Sequence, residues 1–206
     1  MAEVVTRGSG EHEQIADRAE LQVTFAASGV NRTAAVAELG SRVLPMEPVF
    51  GTEGVELRSR RMAVHSTWEG KRCTGCRAQL SVTLRVHRLG ALEGLLDAVV
   101  TAEPESVHGP SWQLADDTGA VAVAQRHAVA DARRRAEGYA AALGARLGPL
   151  QSISDTGAER PMARMAVEHA GHDSTPSGPP SVADLGLEPT PVTVTATCTT
   201  VWTLHD

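Results

Sequence analysis

A chain of 206 residues with 42% hydrophobic content can bury a real core, but at 3% aromatics that core has to be built from Val, Leu and Ala. The formal net charge of −6 argues against the basic face that nucleic-acid binding wants, and it disfavours an anionic membrane surface. No stretch approaches the ~18 apolar residues of a membrane span. The start "MAEVVTRGSGEHEQIADRAE" lacks the basic segment and apolar run of a signal peptide, so a cytoplasmic protein is expected, with three cysteines and no disulfide framework.

Residues 1–19 are polar and carry Gly8, Ser9 and Gly10 in succession, which predicts a flexible tail. "ELQVTFAASG" alternates, with Leu21, Val23 and Phe25 on one side, and reads as a strand. "NRTAAVAELGSRVLP" follows as a helix capped by Asn31 or Thr33, with Val36, Leu39 and Val43 at helical spacing and Pro45 and Pro48 ending it. Residues 54–70 read as one long or bulged strand. "AQLSVTLRVH" alternates Leu80, Val82, Leu84 and Val86, so the two form a β-hairpin around residues 69–75. Residues 88–104 are a second amphipathic helix, with Leu92, Leu95, Leu96 and Val99 on one stripe.

"SVHGPSWQLAD" is a third extended segment. Asp117 or Thr118 then caps a long helix in which Ala124, Ala128, Ala132, Ala136, Ala140 and Leu143 recur four or three apart; Gly144 or Gly148 and Pro149 end it. "LQSISDTG" resumes a strand, and the Ala-, Ser-, Pro- and Gly-rich stretch 158–190 reads as a disordered insertion. In "PVTVTATCTTVWTL" Val192, Val194, Ala196, Cys198, Thr200 and Trp202 share one face of a final strand. The expected architecture is α+β: repeated strand–helix–strand units forming an antiparallel or mixed sheet, packed against one long Ala-rich helix and two shorter ones. Residues 20–206 are expected to form a single domain.

The order of these pieces resembles the SIMPL-domain family, which includes periplasmic immunogenic proteins of bacteria. The similarity is carried by "AVAQRHAVADARRRAEGYAAALGARLGPLQSISD", where Asp131, Ala132, Ala136, Tyr139, Ala140, Leu143, Gly144, Leu147 and Gly148 occupy the positions of the family's Ala-rich helix motif. There are two departures. The family's opening strand reads V-x-G-x-G where this chain has "VTFAASG", and Cys76 stands where members commonly place an aromatic residue. The resemblance implies this fold and a tendency to form homo-oligomers, and it brings no catalytic or cofactor-binding residue with it.

Cys73 and Cys76 form a Cys-x-x-Cys, the one arrangement with a metal or redox reading. Structural zinc needs four ligands, and only Cys198, His65 or His87 remain to complete a set. A redox motif opens a helix, whereas this one leads into a strand. The plainer reading is a hairpin end with Cys76 as a small inward residue. His169 and His172 lie three apart, but within the stretch expected to be disordered. His127 and Asp131 read as an exposed helical pair, and Asp116 and Asp117 as capping carboxylates. Arg133, Arg134 and Arg135 fan through about 200° of a helix and make no flat patch. No phosphate loop, dinucleotide fingerprint or nucleophile elbow occurs. The leading expectation is a non-enzymatic, self-associating or scaffolding protein without cofactor. The alternatives are a metal or thiol sensor at Cys73 and Cys76, and a small-ligand binder or unrecognised enzyme.

Overall fold

The computed structural model describes residues 2–155 and 186–206. Among them run β1 (Ala2–Ile15), β2 (Arg18–Gly29), α1 (Arg32–Val43), α2 (Glu47–Phe50), β3 (Val55–Glu69), β4 (Arg72–Val86), α3 (Leu92–Thr101), β5 (Ser106–Gln113), α4 (Thr118–Ala142), β6 (Arg146–Asp155) and β7 (Pro191–His205). The fold is α+β, but its strands make two antiparallel sheets, ordered β1-β7-β6 and β3-β4-β2-β5. Each sheet belongs to its own compact unit. The chain, expected to form a single domain over residues 20–206, divides into two compact units, the first holding described residues 2–16, 114–155 and 190–206, the second 17–113 and 186–189.

The second unit follows the alternation of its strands. In β4, Cys76, Ala78, Leu80, Val82, Leu84 and Val86 are buried in strict period two, and Leu21, Val23, Phe25 and Ala27 of β2 pack beside them. Three helices close this face. The Asn31 side chain accepts the Ala34 N–H at 2.9 Å and starts α1, which buries Ala35, Leu39 and Val43. Val36, expected inward, is exposed instead, because Ala35 takes that place on the i, i+4, i+8 stripe. Met46 and Phe50 follow, and α3 adds Leu92, Leu95, Leu96 and Val99 as its spacing predicts.

The first unit corrects the expected N-terminal tail: residues 2–15 are a 14-residue strand paired along its whole length with β7. Its inward positions are Thr6, Gly8 and Gly10, so the alternation that marks a strand is written in residues without apolar bulk. They face α4, whose buried residues include Ala120, Ala124, Ala128, Ala132, Ala136 and Ala140. A strict four-residue step advances about 40° each time on a helix of 100° per residue, so this stripe winds gradually around α4. Val192, Val194, Ala196, Cys198, Thr200 and Trp202 of β7 are buried on one face, as the sequence pattern requires.

Two boundaries move. The N-terminus of α4 is closed by Asp116, whose carboxylate accepts the Thr118 N–H at 2.9 Å; Asp117 makes no side-chain cap. The helix ends at Ala142, and Gly144 takes the positive φ (68°) that leaves it. Gly148 and Pro149 thus lie inside β6, which begins before the expected Leu150. The expected insertion at 158–190 lies outside the described residues except for 186–190, which carry no regular structure.

Candidate functional site

The Cys-x-x-Cys sits at the end of the β3–β4 hairpin, and its surroundings differ from the expected loop. The turn is only Gly70 and Lys71, with Gly70 at φ 59°, and both cysteines belong to β4. The ladder pairs Ser66 with Cys76 and Thr67 with Gly75, then Trp68 with Cys73, leaving Thr74 as an extra residue. This is a β-bulge, and the Thr74 hydroxyl donates to the Thr67 carbonyl oxygen at 3.2 Å across it.

The two cysteines differ in burial. Cys76 is buried on the face shared by Ala78 and Leu80, while Cys73 is exposed and its thiol donates to the Gly75 carbonyl oxygen at 3.6 Å. Gly75 is required by crowding, since a Cβ there would lie 2.7 Å from the Gly29 carbonyl oxygen. His65 pairs with Arg77 on β3 and β4, and His87 donates its N–H to the Gly54 carbonyl oxygen. Among the described residues, no three His, Cys, Asp or Glu side chains gather as a metal set. Cys198 belongs to the first unit, and burial pushes its thiol pKa up.

A second constellation surrounds Asp131. The sequence suggested an exposed pair with His127, but Asp131 is buried and its carboxylate accepts the Ser9 N–H of β1 at 3.2 Å. Arg135 donates to the same oxygen at 3.0 Å, and Arg134 engages the other. His127 instead lies 2.9 Å from the Glu11 carbonyl oxygen through Nδ1. β1 is an edge strand, and Ser9 and Glu11 present their backbone groups to the same side. The helix therefore supplies partners for a strand edge that has none in its own sheet. The Ser9 amide foremost, with the Arg135 and Arg134 charges, outweighs burial and holds the Asp131 carboxyl below its ordinary pKa. Arg133 pairs with Glu137, so the arginine run is occupied within its own helix.

Of the other motif positions, Ala132, Ala136 and Ala140 are buried, whereas Tyr139 and Leu143 stand exposed at 60% and 71%. Gly144 ends the helix. His169 and His172 lie outside the described residues. An open groove of about 650 Å³ in the second unit is lined by Ser28, Gly29, Arg42, Arg77, Glu103 and Glu105 among others. Its guanidiniums are engaged, Arg42 by Glu38 and Arg77 by Glu105. Among the described residues, no helix is long and apolar enough to cross a membrane.

The residues missed from sequence are Thr6, Gly8, Ser9 and Gly10. The available signal was the pairing of two glycines two apart with an alanine stripe four apart: both are needed where backbones meet. The geometry defines a two-unit α+β protein whose long Ala-rich helix is locked to an N-terminal edge strand through an aspartate. The sequence profile of the SIMPL family, described as protein of unknown function (DUF541), matches residues 4–202, and the chain belongs to that family. No curated protein matches it significantly. The match begins at residue 4 and so takes in β1, whose Gly8 and Gly10 stand two apart on its inward face.

Proposed function

We propose that this chain is a non-enzymatic SIMPL-type protein that acts by self-association, using the outer edge of β3. The observation that carries this reading is the makeup of that strand. It runs 15 residues, and among the described residues the sheet order leaves it paired with β4 alone. Such an edge is a template for another strand unless charge or irregularity protects it. Its first half is protected: Arg58 pairs with Glu56, Arg60 with Glu47 through two bonds, and Arg61 follows. From Met62 to Trp68, in "MAVHSTW", no Asp, Glu, Lys or Arg appears, and Met62 and Trp68 are 60% and 64% exposed. A second copy pairing along this half would bury both.

Light scattering after size-exclusion chromatography tests the reading. A dimer or larger assembly is expected at micromolar chain concentration, and the double variant Met62→Glu, Trp68→Glu is expected to run as a monomer. A wild-type chain that stays monomeric throughout that range would overturn the proposal, as would an assembly indifferent to the double variant.

A further inference from the structure

We infer that Cys73 and Cys76 form a reversible intrachain disulfide, with Cys73 as the thiol that meets the oxidant and Cys76 as the one that resolves it. The inference rests on the bulge at Thr74. Three residues apart on a regular strand, two side chains point to opposite faces. Here Cys73 pairs with Trp68 and Cys76 with Ser66, so only two ladder positions separate them and both thiols fall on one face. Two positions span about 7 Å between Cα atoms, just beyond the roughly 4.4–6.8 Å that most disulfides bridge. Closing that gap takes a bend of the strand at the bulged Thr74, which lies between the two cysteines. The Cys73 thiol already donates to the carbonyl of Gly75, so it leans along the strand toward Cys76. Exposure divides the roles, since Cys73 is open to solvent and Cys76 is buried.

The oxidant is a hydroperoxide. The Cys73 sulfur, having lost its proton, attacks one peroxide oxygen. The O–O bond breaks, the alcohol or water leaves with that proton, and Cys73 becomes a sulfenic acid. Cys76 then loses its proton and attacks the Cys73 sulfur, and the S–O bond breaks as water departs. Two thiols and one hydroperoxide give one disulfide, one alcohol or water and one further water, with two electrons passing from sulfur to oxygen. Trp68 lies across the ladder from Cys73 and reports on the step.

The experiment treats the folded, fully reduced chain with hydrogen peroxide, blocks remaining thiols, and maps the linkage by peptide mass spectrometry. A Cys73–Cys76 link is expected, with a change in Trp68 emission that a thiol reductant reverses. The Cys76→Ser variant is expected to hold a sulfenic acid at Cys73 that a cyclic 1,3-diketone traps, and Cys73→Ser to leave Cys76 reduced. Inserting a serine between Thr67 and Trp68 gives Thr74 a partner on β3, so the cysteines become three ladder positions apart and face opposite ways; it is expected to abolish the link while circular dichroism stays that of the parent. Oxidation of Cys73 to a sulfinic acid without a link, a bond between two chains, or an undiminished link after the insertion in a folded chain would each overturn the inference.

Discussion

A methyl group on Gly8 would lie 2.0 Å from the carbonyl oxygen of Ala128, so strand β1 and helix α4 touch backbone to backbone. Gly10 repeats the relationship with Ala124, at 2.2 Å. Neither partner has a side chain able to move aside. Gly8→Ala is expected to destabilise the first unit at the upper end of the roughly 1–3 kcal/mol that overpacking costs. Gly138→Ala is the control, because a Cβ there meets nothing within 4 Å on the exposed side of α4. That change should stabilise by about 0.5–1 kcal/mol through helix propensity. Urea denaturation of both variants checks the pair.

Asp131 ties the same two elements together by charge. Its carboxyl pKa is held below the ordinary 3.8, chiefly by the Ser9 N–H. A depressed carboxylate adds stability that is complete above the unfolded value and is lost as pH falls through the folded one. Asp131→Asn is therefore expected to be less stable than the parent from neutral pH down to about 4. Below that the difference should close as the parent's carboxyl takes up a proton. Denaturation midpoints measured across that range test the sign, and a gap that persists unchanged in acid would contradict it.

Thr200 is fully buried and serves several partners at once. Its hydroxyl accepts the Trp202 indole N–H at 2.9 Å and lies 3.1 Å from the Thr6 hydroxyl, which itself donates to the Ala132 carbonyl oxygen at 2.8 Å. Thr200→Val keeps the volume and strands the indole donor, so a loss of about 1–3 kcal/mol is expected. Unfolding followed by Trp emission, with Trp202→Phe as the second leg of a double-mutant cycle, isolates the bond.

In the second unit, Asn31 stands at the start of α1 with extended backbone and accepts the Ala34 N–H. Asn31→Ala is expected to cost about 1 kcal/mol, and Asn31→Asp to restore most of it, because a carboxylate accepts the same bond. Thermal unfolding of the two variants distinguishes the cap from a general effect of truncation.

Particular residues show how far the sequence carried. Alternation in Leu80–Val86 and Val192–Trp202, and the helical spacing of Leu92–Val99, depend on periodic apolar side chains, and each appears in the structure on the face its pattern assigns. The alanines of α4 were legible as a stripe four or three residues apart. The family resemblance was read from that helix, and the family match covers residues 4–202. Cys76 was readable as an inward residue because it continues the strand's period.

What tertiary structure alone decided is whatever had no side chain to announce it. Residues 2–15 spell a strand through Thr6, Gly8 and Gly10, and glycine's reason for being there is the backbone of α4, more than a hundred residues along the chain. Two sheets rather than one follow from the return of residues 191–205 to pair with that strand, a long-range choice invisible to local periodicity. The bulge at Thr74 is a matter of register between β3 and β4, and register determines which way each thiol faces. Local pattern is enough where burial is driven by apolar surface; backbone contact and strand register are set by the partner element, and only the folded chain supplies it.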